Sequence, residues 1–281
     1  MMKQLVFLLA VLLCSPAWAN KTFYGIIMAD VEDPGIGMAC EHDVQKMNRE
    51  FKKFAEHNNA ILSIETFTGK HFSEKKLLHY LEKLNPAEDD VVFFYYSGHG
   101  QYEEGLGKVL SINGVFLPLK TIEKILDEMP AGLKFIVTDC CSQRIPMGIA
   151  MQPNTNALEN ADGEFNARGV LIRQKNYQRL LDYEGMLVVE SSQPGQFSYA
   201  FDKGGIFTEF FLKTIHDQVE IGEASWKNIL DETRRKVENF VGENLEKNQI
   251  PVSDDTNLYQ KVHAGHKPGI PAGKMYEPVK N

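Results

Sequence analysis

The stretch VVFFYY, residues 91 to 96, limits the available folds more than any other part of this chain. Successive side chains of a strand point to opposite faces, so six large apolar residues in a row describe a strand covered on both sides. Such strands sit inside parallel sheets flanked by helices. TFYGIIMA (22 to 29), AILSIETF (60 to 67), KFIVTD (134 to 139) and GMLVVESS (185 to 192) read as further strands. Between the first two, Cys40, Val44, Met47, Phe51, Phe54 and Ala55 recur at steps of three and four, which predicts a helix over 39 to 57. Further helices are predicted over 73 to 84, with Ser73 as N-cap, and over 121 to 129, 205 to 215 and 225 to 245. KVLSI and GVFLPL flank Asn113-Gly114 and predict a small hairpin. Strands alternating with helices imply right-handed crossovers, and therefore a three-layer α/β/α fold with a mostly parallel central sheet.

The ends of the chain read differently. Lys3, the apolar run LVFLLAVLLC and the pattern AWA at 17 to 19 resemble an export signal cut before Asn20. The run is too short to span a bilayer, and Leu13 before Cys14 argues against a lipidated cysteine. Export to the periplasm or the medium is the expectation, with no membrane attachment after the signal is removed. Loss of Lys3 moves the net charge from −8 to −9. That balance gives no phosphate attraction, so nucleic acid is not an expected partner. The segment from 263 to 281 is rich in Pro and Gly and reads as a frayed tail, the spacing of His263 and His266 notwithstanding. Residues 142 to 184 are polar, hold Pro146 and Pro153, and read as one long loop.

Two strands end in residues able to do chemistry. The third runs into SGHG, placing His99 and Gly100, and the fourth into DCC, placing Cys140 and Cys141. A parallel sheet puts both tips on one edge, where loops converge. A thiol there is mostly neutral at pH 7 until an imidazole takes its proton, and the imidazole can then protonate a leaving amine. Gly100, without a Cβ, can offer its N–H to a developing oxyanion beside the N–H of Cys141. Adjacent cysteines lie too close for an ordinary bridge, so Cys140 and Cys141 are not expected to pair, whereas a bridge from Cys40 to Cys140 stays open. One thiol of Cys40, Cys140 and Cys141 is left free by the odd count.

These strings resemble the caspase-like cysteine peptidases, and among them the metacaspases. VVFFYYSGHG is similar to the strand that carries their catalytic His, DCC to their acid-x-Cys element, and ESSQPGQFSYAFDKGGIFTEFFLKTI to their glycine pair and following helix. The resemblance covers residues 22 to about 255, implies a caspase-like peptidase domain over 20 to 262, and selects Cys141 as nucleophile with His99 as its partner. It further implies a pocket for a basic residue before the scissile bond (P1), lined by Cys40, Asp43, Ser97 and Asp139. Two carboxylates in a small cavity repel one another until a cation arrives, which suits Arg or Lys. Cys140 alternates with Cys141 and is expected to pack on the opposite face.

Departures from the pattern are explicit. SQR at 142 to 144 replaces the family's usual His-Ser-Gly after the nucleophile, leaving a catalytically weak or inactive peptide-binding module as the alternative reading. Many metacaspases need calcium, but no ligands for it are assigned here, and no other cofactor is expected. Arg168, Arg173, Lys175 and Arg179 fall where relatives often cut themselves, so self-processing is expected in the long loop.

Overall fold

The computed structural model describes residues 21–142, 167–222, 224–246 and 263–267. The leader, the proposed cleavage site before Asn20 and the tail beyond 267 lie outside them.

A six-stranded sheet forms the centre. Its strands are β1 (Thr22–Ala29), β2 (Ile61–Phe67), β3 (Val91–Ser97), β7 (Leu133–Asp139), β8 (Gly185–Glu190) and β11 (His263–Lys267), in the order β11-β8-β7-β3-β1-β2. All pair in parallel except β11, which runs antiparallel along β8. The sheet therefore has the mostly parallel three-layer form expected from the sequence. Chain order reverses at β1, which lies between β2 and β3, and the loops leaving β1 and β3 flank that crevice.

The run at 91 to 96 divides as a doubly covered strand must. Phe93 and Tyr95 join a core with α1 (Gly37–His57), α4 (Ala167–Leu181), α5 (Ile206–Ile221) and α6 (Trp226–Glu246). Val92, Phe94 and Tyr96 face the other way, against α2 (Glu74–Lys83) and α3 (Leu119–Asp127). Cys141 belongs to the first core and Cys140 to the second. Cys40, Cys140 and Cys141 are all free thiols. The bridge from Cys40 to Cys140 does not form, because the sheet lies between them.

The predicted hairpin is β5 (Gly107–Ile112) and β6 (Val115–Pro118), with Ile112 opposite Val115 and both turn residues, Asn113 and Gly114, at positive φ. A strand not foreseen, β4 (Gly100–Glu103), pairs with β5 and makes this a three-stranded sheet. The short pair β9 (Ala200–Phe201) and β10 (Gly204–Gly205) precedes α5.

Two sequence expectations are corrected. Residues 142 to 184 are not one loop, because residues 167 to 181 form α4, which buries Tyr177, Leu180 and Leu181 at helical spacing. Trp226 donates its indole N–H to the Leu180 carbonyl at 2.8 Å, and Asn176 donates to Val219 O at 2.8 Å. Arg173, Lys175 and Arg179 thus lie in a packed helix, and Arg173 pairs with Glu220 at 3.2 Å. A protease needs extended chain, so self-processing is not expected at these three positions in the folded protein. Residues 263 to 267, read as frayed tail, instead form β11, since backbone pairing to β8 needs no apolar pattern.

A buried carboxylate ties α4 to the rest. Glu50 of α1 is 1% exposed and accepts from Tyr177 at 2.9 Å and from His216 at 2.7 Å, with Lys53 at 3.6 Å. Burial disfavours its charge, yet His216, Lys53 and Tyr177 more than offset this and hold it below the ordinary carboxylate value. A group so depressed stabilises the fold above the ordinary carboxylate range and loses that contribution as pH falls through its folded value. Replacing Glu50→Ala should cost about 3 kcal/mol in urea unfolding at neutral pH, with the gap to wild type narrowing below about pH 4. Equal stability at neutral pH would contradict this role.

Candidate active site

Register decides which tips meet. Ser97 stands opposite Asp139 in the β3–β7 pairing, and Gly98 N–H bonds Asp139 O at 3.3 Å. His99 and Cys141 lie two residues beyond these partners, just past the ends of the neighbouring strands β3 and β7. Cys40, Asp43, Ser97, His99, Asp139 and Cys141 all line one cavity of about 240 Å³. Every residue expected in the pocket therefore reaches it, as do the expected thiol and imidazole. Gly100, the remaining expected catalytic residue, is not among the residues that line the cavity, and it lies close enough to Cys140 that a Cβ would stand 2.6 Å from Cys140 Sγ. The bond from Ser111 N–H to His99 O, 2.9 Å, makes Gly100–Leu110 a non-hydrogen-bonded pair, so β5 does not use the Gly100 N–H.

The thiol and imidazole have other partners in this state. Cys141 Sγ lies 3.4 Å from Ser198 O and accepts from Ser198 N–H at 3.3 Å. Burial pushes this thiol up to about 11, against the lowering pull of the Ser198 N–H and the Lys108 charge, so the sulfur is protonated. His99 bonds through Nε2 to Asp33 Oδ2 at 3.1 Å. Asp33 Oδ1 accepts from Gly35 and Ile36 N–H at 2.8 and 2.9 Å, where the β1 loop enters α1. Burial opposes the Asp33 charge, but those amides and His99 outweigh it and hold the carboxyl below its ordinary value. Sequence reasoning missed Asp33 and Ser198. An acid beside Pro34 at the end of the first strand was the available signal for one, and nothing local marks the other.

The floor of the cavity is acidic. Asp43 accepts from Ser97 Oγ at 2.8 Å and from Gly205 N–H at 3.1 Å. Asp139 accepts from Ser198 Oγ at 2.6 Å and from Thr208 N–H and Oγ1 at 3.1 and 2.7 Å. Burial raises both carboxyls, and their mutual repulsion raises Asp43 further. Both causes favour the protonated form of Asp43. Cys40 Sγ lies 3.5 Å from Ser97 Oγ, and burial pushes its thiol well up, so it is a neutral wall group. Glycine is required at 205 for space, since its φ of −68° suits any residue but a Cβ would overlap the Asp139 carboxylate. Among the described residues no three His, Cys, Asp or Glu side chains gather as a metal site. No helix of the described residues is long and apolar enough to cross a membrane.

Comparison with known proteins agrees with this architecture. No curated protein matches the sequence. In fold, the chain is similar to protein GSU0716 from Geobacter sulfurreducens, with a TM-score of 0.52 and 15% identity over 89% of this chain and 95% of that one. The peptidase family defined by the caspase domain matches residues 37–263, most of the chain and all the strand tips described above except the end of β1. This protein therefore belongs to the caspase domain family.

Proposed function

We propose that the protein is a cysteine endopeptidase of metacaspase type that cuts protein or peptide substrates after Arg or Lys. The observation that carries this reading is the pair of buried carboxylates, Asp43 and Asp139, in the cavity that Cys141 also lines. An arginine or lysine side chain entering there lets Asp43 ionise and pairs both charges. An acidic side chain would add a third negative charge, so cleavage after Asp is disfavoured.

Chemistry then follows from the strand tips. Asp33 holds His99 by Nε2, which leaves Nδ1 for proton transfer. Release of the Ser198 contact lets the Cys141 proton pass to that nitrogen as the thiolate attacks the scissile carbonyl carbon. The oxyanion is received by the Cys141 and Gly100 N–H groups. His99 returns the proton to the amine as the C–N bond breaks, and a water activated by His99 then hydrolyses the thioester. The protonated, Ser198-bound thiol supports the second reading, a module that binds basic peptides without cutting them.

Fluorogenic Arg, Lys and Asp peptides, assayed with reductant and with calcium or a chelator, separate the two. Arg and Lys peptides should be cleaved at least about 100-fold faster than Asp peptides, and Cys141→Ala should lower kcat by about 10⁴-fold or more. Binding of Arg peptides without turnover under every condition would favour the module. Because a cation must displace the proton from Asp43, whose pKa is raised, affinity for benzamidine should tighten from about pH 6 to about pH 9. A flat profile would argue against the acidic pocket. Gly205→Ala should fold at a cost of about 2 kcal/mol and lose about 100-fold in kcat/KM for Arg peptides, through displacement of the Asp139 carboxylate.

A further inference from the structure

A lysine that does not touch the cavity grips the turn bearing Cys141. Lys108 lies on β5 and is 5% exposed. Its Nζ donates to Cys140 O at 3.1 Å, to Cys141 O at 3.2 Å, to Ser192 Oγ at 3.3 Å and to Ser142 Oγ, and lies 3.7 Å from Glu190 Oε2. The same turn is closed from β8 outward. Ser192 Oγ donates to Cys140 O at 2.9 Å, Ser142 Oγ to Ser192 O at 3.0 Å, and Ser142 N–H to Gln196 O at 2.9 Å. Ser142 is the first of the three residues that depart from the family's usual string, and its hydroxyl completes this network.

We infer that Lys108 is a positioning residue for Cys141, fixing the carbonyls of 140 and 141 so that the Cys141 N–H faces away from it, and favouring the thiolate by its charge. This rests on the reading of Cys141 as nucleophile. The geometric half follows from the peptide bond, in which the Cys140 carbonyl and the Cys141 N–H are one planar trans unit pointing in opposite directions. Holding that carbonyl on Nζ aims the amide the other way. Among the described residues no acceptor takes the Cys141 N–H, which suits an oxyanion donor. The electrostatic half follows from burial, since a charge in a poorly solvated site acts strongly on a neighbouring sulfur. Around Cys141 the charged or titratable groups are Lys108 from β5, Asp139 at the end of β7, Cys140 just past it, Tyr199 beyond β8, and His99 across the cavity, while Glu190 of β8 faces Cys140 and bears on Cys141 through its pairing with Lys108. Lys108 and Glu190 oppose each other, so removing either should move the thiol in opposite directions.

The test is the pH profile of iodoacetamide alkylation at Cys141, read by peptide mass so that Cys40 and Cys140 are counted separately, in wild type, Lys108→Met, Lys108→Arg and Glu190→Gln. Lys108→Met should raise the midpoint by about one unit and lower kcat for an Arg peptide about tenfold or more, with KM within about twofold. Lys108→Arg should restore the midpoint, and Glu190→Gln should lower it. A folded Lys108→Met with the wild-type midpoint would overturn the inference. Should that variant not fold, Glu190→Gln decides, a fall supporting the inference and an unchanged or raised midpoint overturning it. If the midpoints move as expected while wild type cleaves no peptide, the role of Lys108 stands and the endopeptidase reading falls.

Discussion

Parallel pairing of β3 with β7, with Ser97 opposite Asp139, is the constraint on which the site depends. It sets His99 and Cys141 on adjacent tips, Ser97 and Asp139 on the wall of one cavity, and Cys140 on the far face. A slip by one residue would reverse every side chain along β7, sending Asp139 and Cys141 into the core with α2 and α3. The apolar residues prevent that slip, because Phe135 and Val137 on one face and Ile136 on the other are each buried against a different helical layer. Core packing and site geometry are thus one problem with one solution.

Charge in the cavity centres on two buried carboxyls, Asp43 and Asp139. Asp43 and Asp139 take hydrogen bonds from Ser97, Gly205, Ser198 and Thr208, enough to keep two carboxyls buried, yet burial and repulsion still favour a proton on Asp43. Only the glycine pair before α5 leaves room for them. The same segment supplies Ser198, which bonds Asp139 through its hydroxyl and Cys141 through its backbone. The acidic pocket and the thiol therefore share one hydrogen-bonding residue.

Much of this was legible in the chain. The doubly apolar strand gave the layered architecture, the helical spacing of Cys40 to Ala55 gave α1, and Asn113-Gly114 gave the turn between β5 and β6. The resemblance supplied Cys40, Asp43, Ser97, His99, Asp139 and Cys141 as a group, and all six line one cavity. Less legible were α4, whose basic and polar residues hide a three-residue apolar contact, and β11, whose HAGHK has no apolar pattern to mark its pairing with β8. Asp33, Ser198 and Lys108 each act through partners far away in sequence.

Side-chain periodicity is local, so the sequence by itself determined the strands, most helices, the parallel topology and the edge where chemistry could occur. Burial and hydrogen-bond partnership are not local. Only tertiary structure decided that Lys108, an ordinary surface residue by type, lies buried against the turn of Cys141. It likewise decided that Asp33 holds His99 and that burial and Asp139 favour a proton on Asp43, because each outcome depends on which distant groups exclude water from the same few ångströms.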